Sequence, residues 1–314
     1  MRTTFGLVLA IMLIGACGSD SSSVGDDDGM ASPDAGPLAR APDLKLVSPD
    51  IDIDPGQEVT YCWYFRTTNQ KPLAIERWQS TMTPGSHHLI LYTSKDDVLP
   101  VGTVTTDCVG QGTGAGVWTY SAQDAVGELQ LPADDGTGKP LAMELRPNQA
   151  GFLQMHYNNR TDQVIRAHVE VSAYALADGT PYTKTAAYVT YNGDISIPIG
   201  AVNDVETMSC SVPATNKFWL MTTHAHKHAV RTTVKDGATV VFNSTSWEHP
   251  GNKLWTGPFY QFSSGKLTYE CAYINTSSRV IKAGQSAQYD EMCMASGYYF
   301  PATGPMFCYN NIPL

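Results

Sequence analysis

The chain has 314 residues, of which 42% are apolar and 16% are charged, and its formal net charge is −10. This length suffices for two domains of ordinary size, and the apolar fraction suffices for sizeable cores. Much of the negative charge lies before Arg40, and no basic stripe follows it, which argues against nucleic acid as a partner.

The N-terminus has the features of an export signal. Arg2 precedes an apolar run over residues 5–14, which is too short to span a bilayer as a helix and is typical of a secretory signal peptide. Residues 14–17 are similar to a bacterial lipobox, whose cysteine becomes the lipidated first residue. The alternative is an ordinary signal peptide with an incidental cysteine. We therefore predict a signal peptide over 1–16 and an exported bacterial lipoprotein. Its lipid on Cys17 would hold it at the periplasmic face of a membrane or at the cell surface.

A composition break near residues 176–181 divides the rest of the chain into halves of similar size. Residues 17–45 are rich in Ser, Asp, Gly and Pro and are predicted to form a flexible acidic tether, because such a segment buries too little apolar surface to fold. The predicted N-terminal domain covers 46–178, the linker covers 179–186, and the C-terminal domain covers 187–314.

Cysteine usage agrees with export. The chain has seven cysteines, and those that follow Cys17 form an even set. Such a set in an exported protein predicts three disulfides, although the sequence alone leaves their pairing open. None of these residues forms a Cys-x-x-Cys pair, which disfavours a thiolate metal site. The set comprises Cys62, Cys108, Cys210, Cys271, Cys293 and Cys308.

Short strand patterns recur along the chain, and few segments show a helical period. Residues 58–65 are β-branched and aromatic on both faces, and apolar and polar residues alternate over 165–173. Residues 230–234 and 238–242 flank an Asp-Gly pair, which favours a hairpin, and 267–274 has the composition of another strand. These patterns predict an all-β protein built of antiparallel β-sandwiches.

Adjacent His87 and His88 would point to opposite faces of a regular strand. Both can bind one metal ion only where the strand bulges or begins, which the preceding Pro-Gly pair permits. His156 lies alone in an apolar strand pattern, where a satisfied core histidine is the ordinary alternative.

Histidines alternate in the segment 224–228, which follows an apolar stretch, 217–221, that is typical of a strand. Residues two apart on a strand share a face, so His224 and His226 can bind one metal ion from one backbone segment. The alternative is a polar strand edge facing solvent. His228 continues the same face, and we expect it to support a ligand or to face solvent.

A methionine adds a softer donor near the C-terminus. Met292 and Met294 are two residues apart, and a thioether ligand favours Cu(I) over zinc. Nothing in the residues alone distinguishes the two methionines, and most of the methionines in the chain must be core packing.

These motifs, in this order, resemble the copper type II, ascorbate-dependent monooxygenases, a family that includes peptidylglycine α-hydroxylating monooxygenase and dopamine β-monooxygenase. The likeness runs from about Tyr61 to Cys308, with long unmatched loops between short motifs. The matching stretches are Ser86-His87-His88-Leu89, Leu153-Gln154-Met155-His156-Tyr157, His224-Ala225-His226, Tyr269 to Thr276, Asp290-Glu291-Met292-Cys293 and Tyr298-Tyr299.

The resemblance implies two copper ions, one in each domain, with ascorbate or another reductant as electron donor. The N-terminal copper stores and delivers an electron, whereas oxygen binds and the substrate C–H bond is attacked at the C-terminal copper. The implied ligands are His87, His88 and His156 for the first ion, and His224, His226 and Met292, which are also the catalytic residues, for the second.

The resemblance also implies a fold. Two jelly-roll-like sandwiches would face each other across an open cleft, so that the two coppers are well separated. The implied disulfides are Cys62–Cys108, Cys210–Cys308 and Cys271–Cys293, of which the last would brace the strand that follows Met292.

The chain departs from the peptide-amidating members at the residues that grip the substrate carboxylate. An arginine, a tyrosine and an asparagine of those members correspond here to Thr222, Ser296 and Met294. These departures argue against a C-terminal glycine substrate and favour an uncharged or aromatic one.

The sequence therefore predicts a copper-dependent monooxygenase that hydroxylates a C–H bond of a small organic substrate with O₂. Its contact with the membrane would be through the lipid anchor only. One alternative is a copper-binding lipoprotein that stores, delivers or senses copper without turnover. Another is a β-sandwich adhesin with incidental histidines, although this reading does not account for the six matched ligand positions.

Overall fold

The computed structural model describes residues 40–108 and 116–314. The predicted signal peptide, the predicted lipidation site at Cys17 and most of the predicted tether lie outside these residues. Every regular element in the described part is a β-strand, and nearly all of the pairing is antiparallel, so the predicted all-β class is confirmed.

The described residues of the N-terminal half and its linker form thirteen strands. They are β1 (Leu44–Val47), β2 (Ile51–Ile53), β3 (Glu58–Arg66), β4 (Leu73–Met82), β5 (Ser86–Ser94), β6 (Val104–Thr105), β7 (Val117–Ala122), β8 (Val126–Gln130), β9 (Leu141–Leu145), β10 (Ala150–Asn158), β11 (Ile165–Ala167), β12 (Val169–Ala175) and β13 (Thr183–Lys184).

Twelve strands follow in the C-terminal half. They are β14 (Ala186–Tyr191), β15 (Ser196–Ile197), β16 (Asp204–Ser211), β17 (Lys217–Ala225), β18 (Ala229–Asp236), β19 (Thr239–Ser244), β20 (Lys253–Leu254), β21 (Lys266–Tyr273), β22 (Ile281–Lys282), β23 (Cys293–Phe300), β24 (Met306–Tyr309) and β25 (Ile312–Pro313).

Each half contributes two larger sheets. Sheet N1 has the order β1-β12-β4-β9-β13, with β8 also paired to β4, and sheet N2 has the order β6-β3-β10-β5-β7. Sheet C1 has the order β20-β17-β23-β14-β24-β25, and sheet C2 has the order β16-β21-β18-β19. The small pairs β2–β11 and β15–β22 complete the set. Among the described residues, no sheet mixes strands up to β13 with later ones, while the domain boundaries and the sandwich arrangement stay predictions.

Most strand predictions are confirmed. The patterns over 58–65 and 267–274 correspond to β3 and β21, and the Asp-Gly signal forms the β18–β19 hairpin, with Gly237 at a φ of +57°. A single strand over 165–173 was wrong, because His168 interrupts it and separates β11 from β12. The hydroxyl of Thr83 replaces the strand partner at that point, since it accepts the His168 N–H at 3.0 Å and donates to its carbonyl at 3.1 Å.

The two halves are in direct contact, which differs from the open cleft that the resemblance implied. One buried apolar cluster joins residues of sheets N1 and N2, such as Trp78 and Leu153, to Trp219 and Tyr298 of sheet C1. The Tyr298 hydroxyl also donates to the carbonyl of Thr119 in the other half at 3.3 Å. The opposite face of sheet C1 packs on sheet C2 in a second cluster.

Three cysteine pairs lie at disulfide distance, in the pairing that the resemblance implied. Cys62 joins Cys108, while the other two disulfides, Cys210–Cys308 and Cys271–Cys293, each connect sheet C2 to sheet C1. Disulfides are compatible with an exported protein. In the described residues, we find no helix with the length and apolar character needed to cross a membrane.

Candidate metal centre

The first histidines lie where β5 begins beside β10. His88 pairs with His156 across the two strands, and the register then shifts, so that His87 is an extra residue in β5. Gly85 precedes the strand with a φ of +97°, and an added Cβ there would lie 2.9 Å from the side chain of Ile165. The shift brings both adjacent rings to His156, with ring centroids 5.2 and 5.1 Å from it. The predicted irregularity at the start of this strand is confirmed.

The second group lies at the end of β17. His224 is the second-last residue of that strand, and His226 follows it in the turn to β18. Their ring centroids are 5.4 Å apart and their planes are nearly perpendicular. His224 pairs in register with Met294 on β23, and Met292 lies just before that strand. A small cavity is lined by both methionines together with His88 and His224.

The histidines of both predicted sites meet in one cluster. The ring centroid of His87 lies 5.2 Å from those of His88 and His156, 5.5 Å from that of His224 and 6.2 Å from that of His226. His88 and His224 are also 5.2 Å apart between centroids. The well-separated sites implied by the resemblance are therefore not what the structure contains, because the two halves are packed against each other.

Two sets of three ring nitrogens have the spacing of a metal site. Within each set the nitrogens lie within 4.8 Å of one another. One set is His87, His88 and His156, which are the predicted ligands of the N-terminal copper. The other set joins His87 to His224 and His226. Both sets offer imidazole donors, which suit copper and several other transition metals.

Buried ring nitrogens without partners indicate that this cluster fits a metal ion. The unpartnered atoms are Nε2 of His87, Nδ1 of His88, Nε2 of His224 and Nε2 of His226. An unpaired buried polar atom costs about 1–3 kcal/mol. Coordination to a metal ion would use these four lone pairs and remove that cost, so the donor set fits a bound metal.

Hydrogen bonds determine which nitrogen each C-terminal histidine presents. Nδ1 of His224 lies 2.8 Å from Oε1 of Gln123, and Nδ1 of His226 lies 3.1 Å from the carbonyl oxygen of Asp290. Each acceptor oxygen takes an N–H from Nδ1, so Nε2 is the lone-pair nitrogen of both rings. Gln123 belongs to the N-terminal half, so the orientation of His224 depends on the contact between the halves.

Glu58 orients His156 and ties it to the C-terminal half. The carboxylate accepts the backbone N–H of Ala287 at 2.6 Å and the hydroxyl of Ser286 at 2.8 Å, and it lies 3.1 Å from Nε2 of His156. Burial raises the pKa of Glu58, but the hydrogen bonds from His156 and Ser286 outweigh it and lower the pKa to about 2. Because Nε2 of His156 contacts Glu58, Nδ1 is the ring nitrogen of His156 that could bind a metal ion.

Burial favours the neutral imidazole at His87, His88, His224 and His226. It lowers the pKa of His87 to about 3 and that of His226 to about 4. The pKa values of His88 and His224 fall well below their ordinary value, first through burial and then through repulsion from the neighbouring rings. Neutral imidazole is the form that binds metal ions.

Glu291 organises the backbone around the predicted C-terminal ligands. This fully buried carboxylate accepts the backbone N–H groups of His226 at 2.9 Å, His228 at 2.7 Å and Met292 at 3.3 Å. Burial raises the pKa of Glu291 to about 8, although these hydrogen bonds oppose the rise. The turn that carries His226 is thereby joined to the segment that carries Met292.

Met292 is further held through its neighbours. The Tyr273 hydroxyl donates to the Met292 carbonyl at 2.8 Å, and the disulfide from Cys271 reaches the next residue, Cys293. Met292 and Met294 are equally buried and line the same cavity. The assignment of Met292 as the ligand stays a prediction.

A larger cavity of about 280 Å³ lies between the halves next to the cluster. Thr222 and Ser296, the positions that depart from the peptide-amidating members, line both this cavity and the small one beside the methionines. Trp118 also lines both cavities. The charged residues among the described lining are Asp124 and Glu128, and no lysine or arginine is among them.

The remaining histidines stand outside the cluster. His228 is half-buried and donates its backbone N–H to Glu291, and the role predicted for its side chain stays a prediction. His168 and His249 are exposed and lie 3.2 and 2.7 Å from Asp50 and Asp124.

Sequence reasoning missed three contributors to the site. Glu58 and Gln123 hydrogen-bond to cluster histidines, and Glu291 joins the two C-terminal ligand segments. Glu291 lies in a stretch that matches the family, which was the one available signal; Glu58 and Gln123 lie in no metal-binding pattern. No protein-family model matches the chain, and no curated protein matches it either.

Proposed function

We propose that this protein is a copper-dependent monooxygenase that hydroxylates a C–H bond of a small uncharged or aromatic molecule, using O₂ and a reductant such as ascorbate. One observation carries the proposal: a cluster of buried histidines has four ring nitrogens with no other partner. Two buried methionines beside it add thioether donors, which favour Cu(I) and distinguish copper from zinc.

The reaction balances with an external electron donor. One oxygen atom of O₂ enters the C–H bond to give an alcohol, and the other leaves as water. Two electrons and two protons are required, and an ascorbate-like reductant supplies the electrons and is oxidised. Bound copper supplies the one-electron chemistry that couples this reductant to O₂. The two histidine sets would supply imidazole ligands, and Met292, which lies outside both sets beside His224, would add the softest donor.

The chain's own residues prepare the site. Gln123 and the carbonyl of Asp290 hold Nε2 of His224 and His226 as lone-pair donors. Of the two cavities that adjoin the cluster, the one of about 280 Å³ has aromatic side chains and no lysine or arginine in its described lining, which supports a substrate without a carboxylate there; the other, of about 530 Å³, is lined by His87 and Arg160.

Export and lipid anchoring form part of the same proposal. The three disulfides support an oxidising compartment. The anchor is tested by Cys17→Ser, which should release the protein from the membrane fraction. Unchanged membrane association of that variant would refute anchoring at Cys17.

The proposed activity is tested with copper-loaded protein, ascorbate and ¹⁸O₂ over a panel of small aromatic and aliphatic substrates. Incorporation of one ¹⁸O atom into product, coupled to oxygen uptake, is the expected result. His224→Ala should abolish it, and His168→Ala, a change at an exposed histidine outside the cluster, should not. Tight copper binding without oxygen uptake under any reductant would instead establish a copper carrier, and absence of copper binding would leave an adhesin.

A further inference from the structure

His87 is the one histidine that belongs to both sets of closely spaced ring nitrogens. Its own unpartnered buried atom is Nε2. One lone pair coordinates one ion, so this atom cannot serve both sets at the same time. The structure therefore raises the question of which ion His87 binds.

We infer that His87 crosses between the halves and binds the copper held by His224 and His226, giving that ion a third imidazole. The inference rests on the proposed function, since it concerns the same copper. It changes the ligand assignment that the resemblance implied, in which His87 serves only the N-terminal ion. His88 and His156 would then remain as a two-histidine site for the other ion.

Ring geometry permits this assignment. The centroids of His87, His224 and His226 form a triangle with sides of 5.5, 6.2 and 5.4 Å, slightly longer than the sides of 5.2, 5.2 and 5.1 Å between His87, His88 and His156. Each ring of the proposed set has an unpartnered and buried Nε2, which is what distinguishes this set. Its three nitrogens lie within 4.8 Å of one another, and copper–nitrogen bonds of about 2 Å require donor atoms at most about 4 Å apart.

The residues around His87 also favour its binding to the C-terminal ion. Trp247, a residue of the C-terminal half, packs edge-on against the His87 ring at 5.5 Å. The guanidinium of Arg160, from the N-terminal half, lies 5.9 Å over the Trp247 ring and 3.2 Å from the Glu248 carboxylate. His87 is thus packed against the C-terminal half on two sides, by Trp247 and by the two histidines of β17 and its turn.

The other two N-terminal histidines belong to the other set of closely spaced nitrogens, although the His88 ring also lies 5.2 Å from that of His224. His156 is held by Glu58 through Nε2, and His88 presents Nδ1 without a partner. Neither belongs to the set that contains His226. A variant at His156 should therefore disturb only one ion, whereas a variant at His87 should disturb the ion of the C-terminal half.

The test compares His87→Ala, His87→Gln and His156→Ala in anaerobic Cu(I) titrations against a chromophoric chelator. We expect both His87 variants to weaken binding at the C-terminal ion by at least about tenfold. His156→Ala should leave that ion at wild-type affinity. X-ray absorption of the ion bound by His87→Ala should show one imidazole fewer than the same ion in His156→Ala. His168→Ala is the surface control, and circular dichroism verifies that each variant folds.

The outcomes separate this inference from the function it rests on. If His87→Ala and His156→Ala each lose the N-terminal ion and leave the C-terminal ion at wild-type affinity and ligand number, the inference is overturned. The proposed two-copper enzyme would be unaffected by that result. A wild-type protein that binds no copper would overturn both. If the Ala variant does not fold, the Gln variant, which keeps a polar side chain of similar size, decides between the expected result and the first of these outcomes.

Discussion

Removing the carboxylate of Glu58 tests whether the contact between the halves supports the metal centre. Glu58 is the acceptor for the Ala287 N–H and the Ser286 hydroxyl, and it holds Nε2 of His156. The first two partners belong to the loop that leads to Met292. Glu58→Ala therefore disconnects β3 from this loop and releases the ring of His156 in one step.

The expected magnitude follows from these three contacts. A hydrogen bond to a charged acceptor contributes about 1.5–3 kcal/mol, and contributions within one network do not add fully. The side chain of Glu58 is only 15% exposed, so solvent replaces these bonds incompletely. We expect Glu58→Ala to lower the unfolding free energy by about 3 kcal/mol and to weaken copper binding by about 10- to 100-fold, as losses of ligand-orienting groups generally do.

Glu58→Gln is the matched control. Its amide oxygen can still accept from Ala287, and its amide nitrogen can donate to the Ser286 oxygen, so most of the geometry survives without the charge. We expect it to retain most of the stability and copper affinity that Glu58→Ala loses. Denaturant unfolding of the metal-free protein and Cu(I) competition measure the two quantities separately. Wild-type stability and copper affinity in Glu58→Ala would refute the role of Glu58 at this contact.

Three further predictions concern the ligand set and the fold. Met292→Ile keeps the apolar volume but removes the thioether. The unfolding free energy should therefore change by less than about 1.5 kcal/mol, while oxygen-dependent turnover is lost. The control variant Met294→Ile should retain turnover. Glu291→Gln leaves at least one of three backbone N–H groups without an acceptor, which should cost about 2 kcal/mol in denaturant unfolding and weaken Cu(I) binding. Burial raises the pKa of Asp236, but hydrogen bonds from two serines outweigh it and lower the pKa from 3.8 to about 2. This carboxylate therefore stabilises the fold fully above its unfolded pKa, and the contribution disappears as the pH falls through about 2. Asp236→Asn should cost about 2 kcal/mol at pH 7 and little at pH 2 in unfolding experiments.

Each of these predictions has a result that contradicts it. Turnover that survives Met292→Ile but not Met294→Ile would transfer the ligand role to Met294, the register partner of His224. Normal copper affinity in Glu291→Gln would remove Glu291 from the support of the site. A cost of Asp236→Asn that does not change between pH 7 and pH 2 would mean that its charge is not what stabilises the β18–β19 hairpin and the serines beside it.

Local sequence patterns were sufficient for the strands because side-chain alternation and turn residues act over a few positions. The Asp-Gly pair before Thr239 and the β-branched run over 58–65 are examples. The break at His168 could not be predicted in this way. It depends on the hydroxyl of Thr83, which is remote in sequence and lies beside this position only after the sheet has formed.

The local parts of the candidate site were also predictable from the sequence, whereas its long-range contacts were not. The five histidines and the start of β5 were identifiable from the chain, since each motif is local. Their convergence into one cluster was not, because it depends on how sheet N2 meets sheet C1. Glu58 and Gln123 were not predicted, for the same reason. Glu58 accepts the backbone N–H of Ala287, and Gln123 hydrogen-bonds to His224, and both contacts connect the two halves.

This contact also restricts how a substrate can approach the proposed copper site. With the halves packed together, two cavities adjoin the histidine cluster. One of about 280 Å³ is lined by Thr222 and Ser296, and one of about 530 Å³ is lined by His87 and Arg160. Both volumes lie below the middle of the range for small-molecule pockets, which favours a compact substrate. Gln123 lines both cavities and orients His224 through a hydrogen bond of 2.8 Å, so a substrate that displaces the Gln123 amide would change the orientation of a proposed ligand.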